Sequence, residues 1–195
     1  MRGIYDRGYL PHWDFDGAVQ AVTFRLADAM PVGLVRGWKE ELASLADDRI
    51  RNKELRRRIA RYEDTGCGEA LLKDPGCAGI VQDKLIAGHE SRYLLIDWCI
   101  MPNHVHVLLR LLGNQALADI ARLWKGSSAF GINRLIGRSG ALWQREYYDR
   151  YVRDLEHFHD CRAYIRNNLV KANLCEKPQG WRFSSAGMNW EERRF

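Results

Sequence analysis

Two histidines lie one residue apart, at His104 and His106, inside the otherwise apolar stretch WCIMPNHVHVLLR at 98–110. A β-strand alternates its side chains between two faces, so both imidazoles would point to one face while Val105 and Val107 point to the other. Two imidazoles on one face of a buried strand are either a hydrogen-bonded polar pair or two ligands of one metal ion. An isolated pair is more often structural, so a third partner is needed to favour a metal site.

A helix predicted at 154–174 supplies a candidate for that partner. Tyr164 and Asn168 are four residues apart and therefore lie about 40° apart around the helix axis, on one face. If that face covers the two imidazoles, Asn168 brings an amide oxygen to the metal and Tyr164 brings a phenol beside it. His157 and His159 of the same helix point about 200° away from each other and cannot chelate one ion together.

A phenol beside a metal ion is suited to covalent phosphoryl transfer. A tyrosine with an ordinary pKa of about 10 is a poor nucleophile, so it needs a polarised phosphate, a base or a cation. A divalent ion would orient a phosphodiester and neutralise the charge that develops during the attack. The consequence would be a phosphotyrosine intermediate.

The hydrophobic pattern predicts the elements that would position these residues. Strands are predicted at 17–26, 92–101, 104–110 and 140–152, helices at 34–63, 77–90, 115–137 and 154–174, and a loop at 65–76. The Pro-Asn step before the third strand is a turn dipeptide, and Asp154 is the expected N-cap of the last helix. The order β, α, α, β, β, α, β, α predicts an α+β fold of the ferredoxin-like, split β-α-β type, an antiparallel sheet with helices packed on it.

Length and composition are those of a single domain. A chain of 195 residues with 46% hydrophobic content can bury one good core. We therefore expect one catalytic domain over 1–195, with a helical and loop insertion at about 50–90 and a turn-rich tail from about 176. The N-terminus is too charged and aromatic for a signal peptide, and no apolar run is long enough for a membrane span. Five cysteines without a C-x-x-C pair are expected to be reduced thiols.

The positive charge is concentrated after the two histidines. The chain has a net charge of +5, and residues 110–183 carry 13 Lys and Arg against 7 Asp and Glu. Aromatic residues are interleaved with these cations: Trp124, Trp143, Tyr147, Tyr148, Tyr151, Phe158, Tyr164 and Trp181. Such a segment suits a groove that follows phosphates and stacks bases, but it also suits an ordinary α/β domain with its aromatics in the core.

Three motifs resemble the HUH single-tyrosine transposases, and most closely the REP-associated tyrosine transposases of bacteria. They are MPNHVHVLL, ALWQREYYDRYVRD followed by EHF, and YIRNNLVKANL. The resemblance runs from GYLPHWDFDGAVQAVTFRL to WRFSSA, which is nearly the whole chain. It implies a ferredoxin-like HUH endonuclease fold and a substrate of single-stranded DNA bearing a hairpin. Cleavage would pass through a 5′-phosphotyrosine and leave a free 3′-OH.

Carried over position by position, the resemblance implies that His104 and His106 bind the metal ion, that Asn168 completes the metal site and that Tyr164 is the nucleophile. Imidazoles alone would favour zinc or another transition metal, whereas phosphoryl transfer and the resemblance favour Mg²⁺ or Mn²⁺, which we expect as the cofactor. DNA contacts are expected from five residues of the basic segment: Trp124, Lys125, Arg145, Arg166 and Lys171.

One departure from the family pattern affects the end of the last helix. The family usually has N-P-V-K-A-G where this sequence has NLVKAN at 168–173. Without the proline the helix can continue, and Asn173 can still take the left-handed conformation that glycine favours at a helix end. The direction in which Asn168 points depends on this change.

We expect a bacterial, cytoplasmic and nucleoid-associated protein. Its expected partner is single-stranded or hairpin DNA, and no membrane partner is expected. A monomer is expected rather than a homodimer, because a helix-rich insertion would cover a dimer edge. Two other functions remain open, a non-catalytic hairpin DNA- or RNA-binding module on the same fold and a structural protein. The predicted strands lack the paired aromatics with which RNA-recognition sheets stack bases.

Overall fold

The computed structural model describes residues 4–6, 11–13, 17–63 and 65–190. The elements in chain order are β1 (Ile4–Asp6), β2 (Pro11–Trp13), β3 (Val19–Arg25), α1 (Val32–Leu42), α2 (Asp48–Glu63), α3 (Pro75–Ile86), β4 (Tyr93–Ile100), β5 (His104–Leu111), α4 (Leu117–Ile136), β6 (Tyr148–Tyr151) and α5 (Leu155–Lys171). Short 3₁₀ helices lie at Leu71–Lys73 and Pro178–Gly180.

Four strands form one antiparallel sheet in the order β4-β5-β3-β6. Numbered along the chain among themselves, these strands lie in the order 2-3-1-4, which is the arrangement of the ferredoxin-like fold. The fold class predicted from the sequence is therefore confirmed. The hairpin of β1 and β2 is a separate two-stranded sheet that the hydrophobic pattern did not predict.

The alternation of β5 divides the core between the two faces of the sheet. Val105 and Val107 point to the face covered by α3 and α4, where Trp124 of α4 is also buried. His104 and His106 are buried as well and have the opposite parity along the strand. Leu108, which continues that parity, packs in the second cluster with the apolar residues of α5. We call these two surfaces the α3–α4 face and the α5 face.

The segment 34–63 forms two helices, so the prediction of one continuous helix is wrong. The helices α1 and α2 are separated by residues 43–47, where the Asp47 carboxylate accepts a hydrogen bond from the Arg49 backbone N–H at 2.7 Å. A short acidic side chain in this position caps the start of a helix, which competes with helix continuation. Together with α3, both helices lie in the connection from β3 to β4, and α2 ends at the buried Glu63.

The strand predicted at 140–152 is shorter than expected. Only Tyr148–Tyr151 pairs regularly with β3, and the preceding residues make isolated contacts with the end of that strand. The backbone N–H of Gln144 donates to the Arg25 carbonyl at 2.9 Å, for example. The irregular start follows from Gly140, whose φ of +96° is incompatible with a regular strand.

Both ends of α5 agree with the sequence predictions. The Asp154 side chain accepts a hydrogen bond from the His157 backbone N–H at 2.7 Å, so the predicted N-cap is confirmed. The helix continues past the position of the missing proline to Lys171, and Asn173 has a φ of +55°. The left-handed conformation expected of Asn173 is therefore present.

The tail beyond α5 returns to the outer edge of β4. The Ile100 N–H donates to the Phe183 carbonyl and the Ser185 N–H donates to the Trp98 carbonyl, both at 3.0 Å. These bonds cover part of an edge that would otherwise be open to another strand. All five cysteines are free thiols, as expected. None of the helices described for this chain is long and apolar enough to cross a membrane.

Candidate metal and nucleophile site

His104 and His106 face each other across the start of β5. Their Nε2 atoms are 3.0 Å apart, and their rings are nearly perpendicular, with centroids separated by 4.6 Å. Two nitrogen ligands of one ion, each about 2.0–2.1 Å from it, are separated by about 3 Å when they meet it at a right angle. The spacing of the two nitrogens therefore suits binding to a single cation.

The outer nitrogens of both rings are held by polar neighbours. Asn103 Oδ1 lies 2.7 Å from His104 Nδ1, and the Asn103 amide N–H donates to the Cys67 carbonyl at 2.9 Å. Because that second bond fixes the amide orientation, Asn103 presents an acceptor, so the proton of His104 is on Nδ1 and its Nε2 lone pair is free. Thr23 Oγ1 lies 2.7 Å from His106 Nδ1.

The Thr23 hydroxyl is compatible with two states of His106, because a hydroxyl both donates and accepts. Without a cation, Thr23 donates to Nδ1 while His106 Nε2–H donates to His104 Nε2. With a cation, Thr23 accepts from Nδ1–H, and both Nε2 lone pairs are available as ligands. Thr23 and Asn103 are functional candidates that the sequence analysis missed, since a threonine in a strand and an asparagine in a turn have many ordinary roles.

Burial keeps both imidazoles neutral. Burial lowers the pKa of His104 to about 3, and the positive charge of Arg25 acts in the same direction. The pKa of His106 is also lowered to about 3, first by burial and then by His104, with Glu63 opposing the shift. A neutral imidazole is the form that binds a metal ion.

Tyr164 of α5 lies against the histidine pair. Its ring centroid is 5.3 Å from that of His106, at an interplanar angle of 76°, and the residue is 38% exposed. The Lys171 Nζ lies 5.7 Å from the centroid of the same ring. The phenol is thus accessible from solvent, adjacent to the imidazoles and close to a cation that would stabilise negative charge on its oxygen.

Asn168 follows Tyr164 by one helical turn and is 1% exposed. Its side-chain oxygen and nitrogen are both buried, and neither has a hydrogen-bond partner among the described residues. A buried amide is normally hydrogen-bonded, because leaving it unsatisfied is destabilising by about 1–3 kcal/mol. The Asn168 amide, one turn from the tyrosine that contacts His106, therefore has a donor and an acceptor that no described protein group uses.

Side chains of other types do not complete the metal site. The described residues contain no group of three or more His, Cys, Asp or Glu side chains that could hold a metal ion. His157 Nδ1 accepts a hydrogen bond from the Arg153 backbone N–H at 3.3 Å. The candidate donors on this face are therefore the two imidazoles and the buried Asn168 amide.

A buried ion cluster fixes α5 against the sheet. Asp97 of β4 is fully buried and accepts hydrogen bonds from Arg162 Nε at 3.2 Å, from Arg166 Nε at 2.8 Å and from the Ser185 hydroxyl. Burial raises the pKa of the Asp97 carboxyl, and the two guanidinium groups oppose that shift. Because Tyr164 lies between the two arginines in sequence, this cluster sets the rotation of the helix that carries it. In the sequence, Asp97 is the single acidic residue of the apolar run YLLIDWCIM, and a charge inside such a run indicates a buried group that needs partners.

Some of the residues expected to contact DNA are exposed, and others are held by contacts within the protein. Lys125 Nζ donates to the Arg145 carbonyl at 2.6 Å, so these two predicted residues do lie together, with the Arg145 side chain exposed. Burial lowers the pKa of Lys125, and the charge of Glu146 opposes the shift. Lys171 is exposed beside Tyr164, whereas Arg166 is bound to Asp97.

The prediction that Trp124 contacts DNA is wrong. Trp124 is 1% exposed, its Nε1–H donates to the Tyr93 hydroxyl at 2.7 Å, and its ring packs on Phe24. A base cannot stack on a ring that is enclosed in the core. Trp143, Tyr147 and Phe158 are buried too, which favours the core interpretation for most of the aromatic residues in the basic segment.

The chain is similar in sequence to known transposases. Residues 85–168, which include both histidines, Tyr164 and Asn168, match the family model described as Transposase IS200 like. A curated protein of Haemophilus influenzae, assigned as a REP-associated tyrosine transposase, is 30% identical over 97 residues, or 45% of this chain and 55% of that protein. The chain thus spans about half the length of the curated relative that it matches.

Comparison with solved structures supports the fold through one of two matches. One is a REP-associated tyrosine transposase bound to a REP hairpin, with a TM-score of 0.58, 14% sequence identity and coverage of 93% of this chain and 84% of that chain. The other, assigned as a transposase of Deinococcus radiodurans, is 18% identical over 84% of this chain and 96% of that chain, but its TM-score of 0.38 is too low to show a common fold. The resemblance to the REP-associated tyrosine transposases that the sequence motifs indicated is therefore confirmed.

Proposed function

We propose that this protein is a metal-dependent endonuclease and strand transferase that acts on single-stranded DNA bearing a hairpin through a 5′-phosphotyrosine intermediate. The observation that carries the proposal is the contact between the accessible ring of Tyr164 and the ring of His106, whose Nε2 lies 3.0 Å from that of His104. The hairpin as substrate is supported by the related protein solved with a REP hairpin.

Tyr164 would supply the nucleophile for the chemical step. The Tyr164 hydroxyl loses its proton to solvent, its oxygen attacks the phosphorus of one phosphodiester to form a new O–P bond, and the bond from phosphorus to the 3′ oxygen breaks. The 3′ oxygen leaves, takes up a proton and becomes a free 3′-OH. The 5′ phosphate stays on Tyr164 until a 3′-OH attacks it and rejoins the strand, which restores the phenol.

The donors present fit Mg²⁺ or Mn²⁺ bound weakly by His104, His106 and Asn168. The fit rests on the facing Nε2 atoms and on the buried Asn168 amide, which has no partner among the described residues. When bound, such an ion supplies charge neutralisation and orientation of the phosphate oxygens. Asn103 and Thr23 hold the two rings so that their lone pairs point to one place.

Cations on both sides of the sheet would bind the DNA strand. Lys171 lies beside Tyr164 on the α5 face, and Lys125 of α4, on the other face, contacts Arg145. Phosphate contacts of this kind release counterions, so hairpin binding should weaken steeply as the salt concentration rises. A monomer is the expected assembly, because residues 183–185 pair with the β4 edge through which sheets of two copies would otherwise join.

The decisive experiment compares Tyr164→Phe with Tyr148→Phe. Each substitution removes one phenolic oxygen, but Tyr148 lies on β6 with its hydroxyl 3.5 Å from Arg56 Nη1. Wild type and Tyr148→Phe should form a protein–DNA adduct with labelled hairpin DNA and Mn²⁺ on a denaturing gel, while Tyr164→Phe should form none. Hairpin binding should persist in both variants.

Other outcomes identify other functions. An adduct in Tyr164→Phe would show that another residue is the nucleophile. Specific hairpin binding without any adduct in the wild-type protein, over a range of Mn²⁺ and Mg²⁺ concentrations, would favour the non-catalytic binding module. Equal affinity for blunt duplex and for hairpin DNA would contradict the proposed substrate.

A further inference from the structure

Arg25 is the residue of β3 that pairs with His104 in the sheet. Residues directly opposite each other on antiparallel strands point to the same face, and Thr23, which contacts His106, precedes Arg25 by two positions on that face. The Arg25 charge also acts on both imidazoles and lowers the pKa of each. Arg25 is therefore a cation beside the histidine pair on the α5 face.

A buried carboxylate from α2 holds one edge of this guanidinium. Glu63, the last residue of α2, is 4% exposed and accepts a hydrogen bond from Arg25 Nε. The Arg25 side chain is 15% exposed. This contact connects α2 to β3, the strand that pairs with the histidine strand β5.

The rest of the guanidinium has no protein partner among the described residues. Arg25 carries five N–H donors, and the hydrogen bond from Nε to Glu63 is its one contact of this kind in the described part of the chain. The Nη groups are not among the described buried atoms that lack a partner, so they reach solvent and can bind an anion. The two Nη groups form a planar fork that matches two oxygens of one phosphate.

We propose that Arg25 binds a phosphodiester of the single-stranded DNA at the histidine pair, and that Glu63 is the positioning residue that orients its free fork. This inference rests on the proposed function, since it names a phosphate contact within that site. Glu63 takes the Nε edge and thereby leaves the Nη fork for the phosphate. The helical hairpin of α1 and α2 then contributes to catalysis through one carboxylate.

The test uses DNA in which one phosphate at a time carries an uncharged methylphosphonate. The substitution is scanned along the single strand beside the hairpin, and affinity is measured in the Tyr164→Phe background so that no cleavage occurs. In this background one methylphosphonate position should weaken binding about tenfold, the effect of losing a charge-assisted hydrogen bond. When Arg25→Gln is added, that position should produce no further loss, while the other positions keep their effects.

Adduct formation with Mn²⁺ gives the second readout. Arg25→Gln should slow adduct formation by about 100-fold or more, as removal of one transition-state donor does. Arg25→Lys should recover only part of that rate, because an ammonium keeps the charge but not the fork. Glu63→Gln should lower the rate less than Arg25→Gln does. The matched control is Arg58→Gln, which breaks the exposed contacts of α2 with Glu41 and Glu54 and should leave the rate unchanged.

The outcomes separate this inference from the proposed function. If the wild-type protein forms no adduct, the proposed function fails, but the methylphosphonate scan still shows whether Arg25 binds a phosphate. If adducts form and Arg25→Gln retains both the wild-type rate and the full methylphosphonate effect at every position, Arg25 does not bind a phosphate. If Arg58→Gln slows the reaction as much as Glu63→Gln, Glu63 acts through helix packing and its positioning role is excluded.

Discussion

The two faces of the central sheet are formed by the same strands, but their buried polar groups differ in their hydrogen bonding. On the α3–α4 face, Trp124 donates to the Tyr93 hydroxyl, which in turn donates to the Leu85 carbonyl at 2.6 Å. Trp143 and Ser128 form a similar chain there, with a distance of 3.0 Å. Each of these four polar groups is satisfied within the protein, so they stabilise the fold and have no bonding capacity left for a ligand.

The α5 face contains a buried amide whose bonding is incomplete and an imidazole pair that is bonded only to itself and its outer partners. The Asn168 amide has no partner among the described residues, and the two histidines share a hydrogen bond between Nε2 atoms 3.0 Å apart. Unsatisfied polar atoms lower stability unless water or a ligand supplies the missing bonds. The same strand alternation thus gives a core of satisfied polar groups on one side and, on the other, the groups that we propose bind a metal ion.

The largest expected effect is on stability and lies on the α3–α4 face. Trp124→Ala should reduce the free energy of unfolding by about 3–5 kcal/mol, because it leaves a cavity and removes the partner of the Tyr93 hydroxyl. Chemical denaturation measures this loss. At a temperature where the variant is folded, its affinity for hairpin DNA should equal that of the wild type. Weaker hairpin binding by fully folded Trp124→Ala would mean that this ring contacts DNA after all.

Asp97 on the α5 face should give an intermediate loss. Asp97→Ala leaves Arg162 and Arg166 without their shared carboxylate, and it should destabilise the protein by about 2 kcal/mol, less than the roughly 3–5 kcal/mol of fully buried pairs, because both arginines are partly exposed. The rate of adduct formation should also fall, since the rotation of α5 is no longer fixed. Arg122→Ala, which breaks an exposed ion pair on α4, is the control and should change neither quantity. A wild-type adduct rate in folded Asp97→Ala would show that Tyr164 is positioned by other contacts.

The smallest expected change in stability is an increase, at Asn168. Asn168→Leu removes an unsatisfied buried amide and should stabilise the metal-free protein by about 1 kcal/mol, while Mn²⁺ should raise the melting temperature of the wild type but not that of the variant. Thermal unfolding with EDTA and then with Mn²⁺ measures both effects. Asn133→Leu on α4, remote from the histidines in sequence and on the opposite side of the sheet, should retain the Mn²⁺ response. An equal Mn²⁺ response in Asn168→Leu would exclude Asn168 as a ligand.

Much of the fold followed from local pattern. The period of two in HVHVLLR predicted β5 and the division of its residues between two faces, and the spacing of Tyr164 and Asn168 predicted that they share one side of a helix. Asp154 as N-cap and Asn173 in the left-handed conformation were also correct, because caps depend on residues near in sequence. The break between α1 and α2 was missed because the charged sequence around it has strong helix propensity on both sides.

The amino-acid sequence by itself determined which residues are able to do chemistry and which of them share a strand or helix face, since those properties depend on residue type and period. Only the tertiary structure decided that Tyr164 lies against His106, that Trp124 is enclosed in the core and that Glu63 reaches Arg25. These contacts join residues that are distant in the chain, and they arise from how helices pack on the two faces of one sheet. Packing depends on the whole core at once, so no local pattern encodes it.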